Sequence, residues 1–201
     1  MSSAQRSTGP LPAAAAALDR FNALPEDAAT AVLHDVCSSA AWVRALLDGR
    51  PYATLGGLLA AQDAATAALT ATDLAEAMAG HPPIGDPAPR GPADGDPAPG
   101  DPAPGDPAPG GGHSAREQAG MARASERLKE EMTTLNRAYR ERFGHVFLIC
   151  ASGLSAGQMR DALAARLRNT PDREREIVRT ELAKINRIRL TRLATAQEER
   201  T

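Results

Sequence analysis

The chain has 201 residues, 42% of them hydrophobic and only 3% aromatic, and 23 basic against 25 acidic groups leave a net charge of −2. That balance gives no global pull toward nucleic acid, and no apolar run approaches the roughly 18 residues needed to cross a bilayer. Two cysteines, Cys37 and Cys150, make no disulfide framework and fit a reducing compartment. The opening stretch Ala13–Leu18, flanked by Pro12 and Asp19, is too short for a signal-peptide core. The end, Glu199-Arg200-Thr201, is no peroxisomal address, so a cytoplasmic protein is expected. Charge is nevertheless split. Residues 1–112 carry 5 basic and 13 acidic groups (−8), and residues 113–201 carry 18 and 12 (+6). Blocks of opposite sign either attract a charged partner or pack together in one domain, the simpler outcome.

The expected layout is a flexible N-terminus over 1–17, one helical domain over 18–195 and a short tail over 196–201. Pro25, followed by Glu26 and Asp27, starts a helix with negative charge where the dipole favours it. Ala29, Val32, Leu33 and Val36 then recur at helical spacing. Ser39 caps a second helix carrying Trp42, Val43, Leu46 and Leu47, stopped by Gly49 and Pro51. Thr54 opens a third through Leu58, Leu59, Ala65 and Leu69, and Thr72 opens a fourth, Asp73 to Ala79, ended by Gly80. Nothing alternates with period two, so strands are not supported.

Eleven of the 16 prolines fall between Pro82 and Pro109. Four copies of Gly-Asp-Pro-Ala-Pro begin at Gly85, Gly95, Gly100 and Gly105. Such composition over 86–112 favours a disordered, solvated loop over a packed element. It serves either as a ligand for a proline-recognising partner or as a tolerated loop expansion.

The second block starts at Ser114, where Ser114-Ala115-Arg116-Glu117 has capping-box spacing. One helix is expected from there through Leu128, Met132, Leu135 and Tyr139 to Phe143, stopped by Gly144. Val146–Ala151 is a compact apolar run that reads as a buried extended segment or a core strand. Ser155 caps the next helix, with Met159, Leu163 and Leu167 inside and Asn169 at its end. Thr170-Pro171-Asp172 starts the last, to about Thr195. On this helix Val178, Leu182, Ile185, Arg189 and Leu193 share one face, so an arginine sits on the apolar stripe. Either it snorkels to solvent, or its guanidinium is held at a cavity to bind an anion or a carbonyl-rich ligand.

No phosphate loop, nucleophile elbow or metal-ligand spacing among His34, His81, His113, His145 and the cysteines is present. What remains is a bracket around the proline tract, with His81 in a stiff turn on one side and Glu117 on the other. An imidazole beside a carboxylate is an ordinary general acid–base pair, the carboxylate fixing the tautomer. The plain alternative is a helix-end cation and half of a capping box.

Several stretches together carry a resemblance. They are Phe21-Asn22 with Leu24, His81-Pro82-x-Ile84-Gly85, Ser114-x-x-Glu117-Gln118-Ala119-Gly120 and Leu135-Asn136-x-x-Tyr139. They continue with Arg142–Ala151, Arg166-Leu167-x-Asn169, Glu181-Leu182-x-Lys184-Ile185 and Arg189-Leu190. Over about residues 18–195, the tract excepted, the chain resembles the 2-oxo-4-hydroxy-4-carboxy-5-ureidoimidazoline (OHCU) decarboxylases of urate degradation. The resemblance implies a single compact all-α domain, a homodimer, no cofactor and no metal. It implies catalysis by His81, as proton donor, and Glu117. The pocket would be lined by Pro82, Ser114, Gln118 and the backbone of Phe147, Leu148, Ile149, Cys150 and Ala151, with Arg189 binding substrate. Loss of carbon dioxide would leave charge that delocalises onto oxygen, stabilised by fixed donors, and protonation of one face would give S-allantoin. Family members usually carry arginine where this chain has Pro83, and the loop from His81 to Ser114 is longer than usual. The alternatives are a helical interaction module built around the proline tract, or a lyase for a related hydantoin-like substrate.

Overall fold

The computed structural model describes residues 11–84 and 124–195. Among these residues every regular element is a helix: α1 (Leu11–Ala23), α2 (Glu26–Val36), α3 (Ala40–Asp48), α4 (Leu55–Ala68), α5 (Ala71–Ala79), α6 (Glu126–Phe143), α7 (Ala156–Arg166) and α8 (Pro171–Thr195). The all-α expectation therefore holds for them. The Gly-Asp-Pro-Ala-Pro tract lies outside the described residues. The domain boundary expected at residue 18 falls inside α1, whose Leu18 and Phe21 enter the core.

Local chemistry explains the helix ends. Ser39 accepts from Trp42 N–H, Thr54 from Gly57 N–H and Ser155 from Gln158 N–H, each at a helix start. α5 begins earlier than expected. Thr70, not Thr72, is its cap, and Asp73 returns a bond to the Thr70 backbone to complete a capping box. The helix expected to run unbroken from Ser114 to Phe143 is not continuous. Ser125 has extended backbone and accepts from Leu128 N–H, so α6 begins at Glu126. Gly144 ends α6 at φ 77°, a left-handed conformation that glycine adopts without a Cβ penalty.

Two cores result. α1 to α5 and α8 enclose the larger, built around Trp42, Leu33, Leu46, Leu58, Leu74 and Leu182. α6 and α7 close over the smaller, which contains Ile84, Met132, Tyr139, Phe147, Met159 and Leu163. α8 packs on α1, α2 and α4, so the basic and acidic blocks join in one folded body. Arg187 pairs with Asp63 across that contact. The buried polar atoms at this junction are chained. Trp42 Nε1–H donates to Thr66 Oγ1 (3.1 Å), Thr66 donates to Gln62 Oε1 (3.2 Å), and Gln62 Nε2 reaches Ala183 O (3.3 Å).

Residues 146–151 form no ladder and run as a buried extended segment between the two cores. Leu148 enters the larger core, with Val146 and Cys150 packed against it, while Phe147, Ile149 and Ala151 enter the smaller. Side chains of an extended chain alternate sides. Here both sides are apolar, so the sequence reads as an unbroken hydrophobic run and not as an alternating one.

Candidate active site

His81 follows α5 and its C-cap Gly80, where the chain must turn. A Cβ on Gly80 would run into the Ser38 side chain, so the close approach of the α2–α3 linker explains a glycine there. His81 is 6% exposed. Its backbone N–H donates to Met78 O (3.0 Å), and its Nδ1 lies 3.0 Å from Ala77 O. A carbonyl oxygen only accepts, so Nδ1 carries a proton and Nε2 is the ring nitrogen turned away from that bond. On the Nδ1 side the ring is thus oriented by a backbone carbonyl. Pro82 continues the turn, and its far end is pinned where Asn136 Nδ2 donates to Ile84 O at 2.7 Å.

Ile84 packs in the same core as Phe147, Ile149 and Ala151, which makes the histidine turn and the extended segment neighbours. Arg189 is 4% exposed and its Nη1 donates to Val36 O at 2.8 Å. The guanidinium is held inside, against the snorkelling alternative. The linker after Val36 touches both partners, with Arg189 bonded to its start and Gly80 against Ser38. Ser114, Glu117 and Gln118 lie outside the described residues.

Beneath the extended segment is a buried ionic cluster that sequence reasoning did not assign. Arg166 Nη1 donates to Leu148 O (2.8 Å), and its Nε donates to Glu174 Oε1 (2.7 Å). Asn169 Nδ2 donates to Glu174 Oε2 (2.7 Å), and Tyr139 O–H donates to the same carboxylate. The guanidinium also lies 4.5 Å from the Phe147 ring centroid. Burial alone would raise the Glu174 carboxyl, but hydrogen bonds from Arg166, Tyr139 and Asn169 outweigh it and hold the carboxyl below its ordinary range. Burial, with the adjacent carboxylate, pushes the Tyr139 phenol well up. A sequence signal existed: Glu174 lies four residues before Val178 on the apolar face of α8, and Arg166 three after Leu163 on that of α7.

Of the cysteines, Cys37 is buried, and burial pushes its thiol up, an effect only partly countered by the Ser39 backbone, Asn186 and Arg189. Among the described residues no three of His, Cys, Asp or Glu gather into a group able to hold a metal ion. None of their helices is long and apolar enough to cross a membrane. A separate groove of roughly 200 Å³ beside Leu74, Met78, Phe143, His145 and Arg175 contains none of the expected site residues.

Comparison with known proteins places this helical fold in a class. The chain matches a crystal structure of OHCU decarboxylase in the presence of (S)-allantoin, with a TM-score of 0.63 and 26% identity over 81% of this chain and 96% of that one. A crystal structure of (S)-allantoin synthase shares the fold, with a TM-score of 0.62 at 18% identity over 88% of this chain and 53% of that one. The family model for OHCU decarboxylase matches residues 22–191, and the chain belongs to that family. Relatives include the uric acid degradation bifunctional protein TTL of Arabidopsis thaliana, 28% identical over 78% of this chain and 44% of the relative. Another is the 2-oxo-4-hydroxy-4-carboxy-5-ureidoimidazoline decarboxylase of Amia calva, 38% identical over 36% of this chain and 42% of the relative. The chain thus spans under half the length of these two relatives.

Proposed function

We propose that this protein decarboxylates 2-oxo-4-hydroxy-4-carboxy-5-ureidoimidazoline to S-allantoin, without a cofactor, as a cytoplasmic homodimer. The observation that carries the reading is the match to the OHCU decarboxylase model over residues 22–191, which spans His81, Phe147–Ala151 and Arg189. Neither an interaction module nor a lyase for another hydantoin-like substrate is favoured by the fold or the comparisons.

In this reading Arg189 and backbone groups of Phe147–Ala151 fix the ring, and fixed dipoles take up the charge left when carbon dioxide departs. His81 acts through Nε2 and delivers a proton to one face, because Nδ1 is committed to Ala77 O. Glu117 would stabilise the imidazolium, and Ser114, Gln118 and Pro82 would complete the pocket wall. Pro83, in place of the family's usual arginine, removes a surface charge and no catalytic group.

The test supplies freshly generated substrate from urate, an oxidase and a hydrolase, and follows circular dichroism. S-allantoin should appear faster than the spontaneous racemic decay; a trace no faster sinks the reading. Light scattering on the eluting protein tests the homodimer, and a monomer mass would remove it.

A further inference from the structure

The extended segment has two backbone edges, and the protein uses them differently. In extended chain the N–H and C=O of one residue point to the same edge, and those of the next residue to the opposite one. The alternating burial of residues 146–151 between the two cores shows this geometry.

The edge of Leu148 and Cys150 is occupied from two helices. Arg166 Nη1, on α7, donates to Leu148 O at 2.8 Å, and Glu181 Oε2, on α8, accepts from Cys150 N–H at 2.8 Å. Each clamp is itself held. Arg166 pairs with buried Glu174 at 2.5 Å, and Glu181 pairs with Lys184 at 2.6 Å. The opposite edge differs. Phe147 and Ile149 are 2% and 9% exposed, yet neither their N–H nor their C=O groups enter a hydrogen bond among the described residues. Buried backbone groups are nearly always paired, since leaving one unmet costs about 1–3 kcal/mol. Unpaired groups on one edge, with Leu148 O and Cys150 N–H clamped on the other, make a template for a ligand rich in amide donors and acceptors.

We infer that Glu181 and Arg166 are positioning residues that lock the Leu148/Cys150 edge, so that the Phe147/Ile149 edge pairs with a cyclic amide or urea ligand. This rests on the decarboxylase reading and narrows its backbone subsite to one edge. The clamps touch no reacting atom. Releasing Glu181 lets the segment rotate or slip, which weakens ligand binding and leaves the proton chemistry at His81 intact.

The test uses the full chain, with (S)-allantoin as probe and freshly generated substrate for rates. In the wild type, (S)-allantoin should shift the Phe147 and Ile149 amide resonances more than that of Cys150. Glu181→Ala should speed Cys150 amide exchange, raise KM and the (S)-allantoin Kd together by about tenfold, and leave kcat within about threefold. Glu181→Gln, which still offers an oxygen to Cys150 N–H, should stay within about threefold of wild type in all of these. If Cys150 shifts most, if Glu181→Gln falls as far as Glu181→Ala, or if Glu181→Ala leaves KM and Kd unchanged, the inference is overturned while the decarboxylase reading stands. A wild type that neither decarboxylates nor binds (S)-allantoin overturns both.

Discussion

Arg189, on the apolar face of α8, donates from Nη1 to the backbone oxygen of Val36 at 2.8 Å. This bond to the end of α2 holds the guanidinium beside the linker that packs on the histidine turn. A cation this deeply buried is costly unless hydrogen-bonded, and the planar five-donor fork of arginine is a geometry that a lysine ammonium cannot reproduce. Arg189→Lys should therefore lower kcat/KM by about 10- to 100-fold, since each hydrogen bond to a charged group contributes about 1.5–3 kcal/mol. Arg189→Met should fall further. Steady-state kinetics with unchanged far-ultraviolet dichroism would check this, and a lysine variant at full activity would contradict it.

Replacing His81 separates proton chemistry from folding. His81→Asn removes the titrating nitrogen while keeping a side-chain donor for Ala77 O. The rate should drop by about 10²- to 10⁴-fold, the usual range for a general acid–base group, with Tm shifted little. Near wild-type rates would show that another group handles the proton.

The Arg166–Glu174 cluster sets the pH response of stability. The Glu174 carboxyl is held below its ordinary value, so its contribution is complete above about pH 4.3, the value in unfolded chain, and is lost as pH falls through the lower folded value. The Tyr139 phenol is raised, so its contribution is complete below about pH 10 and is lost as pH climbs beyond that. Glu174→Gln should cost about 3–5 kcal/mol at neutral pH by stranding Arg166, and it should flatten the acid limb of a Tm–pH curve. Tyr139→Phe should flatten the alkaline limb. Unchanged limbs would mean that other groups govern the pH response.

Cys37 should be inert in the native state, because the thiolate is the reactive form and burial disfavours it. A thiol reagent at pH 8 should modify Cys37 only on the timescale of global unfolding, and faster in denaturant. Rapid native labelling at Cys37, located by peptide mapping, would refute this.

Much of the fold was legible in the chain because helix caps act locally. Ser39, Thr54, Ser155 and Gly144 each satisfy orphan backbone groups within three or four residues, so their types alone mark the ends. The same reasoning misplaced one start and missed the break before Glu126. Thr70 and Thr72 are equally good caps in isolation, and the choice fell to Thr70 because Asp73 stands three residues on, where it can return the bond. Ser114 and Ser125 both open plausible helices, and Ser125 starts α6.

By itself the sequence determined an all-helical chain around a proline tract, the His81 turn, and an arginine where a leucine would be expected. Periodicity and capping depend on near neighbours, so these features need no knowledge of the fold. Only the tertiary structure decided that Arg189 points inward to Val36 and that Ala77 O orients the His81 ring. It also decided that Glu174 and Glu181, to which the sequence reading gave no role, hold Arg166 and Cys150 N–H in place. Those bonds join groups distant in sequence or hidden within a turn, and they form because a buried donor or acceptor must find a partner wherever packing brings one.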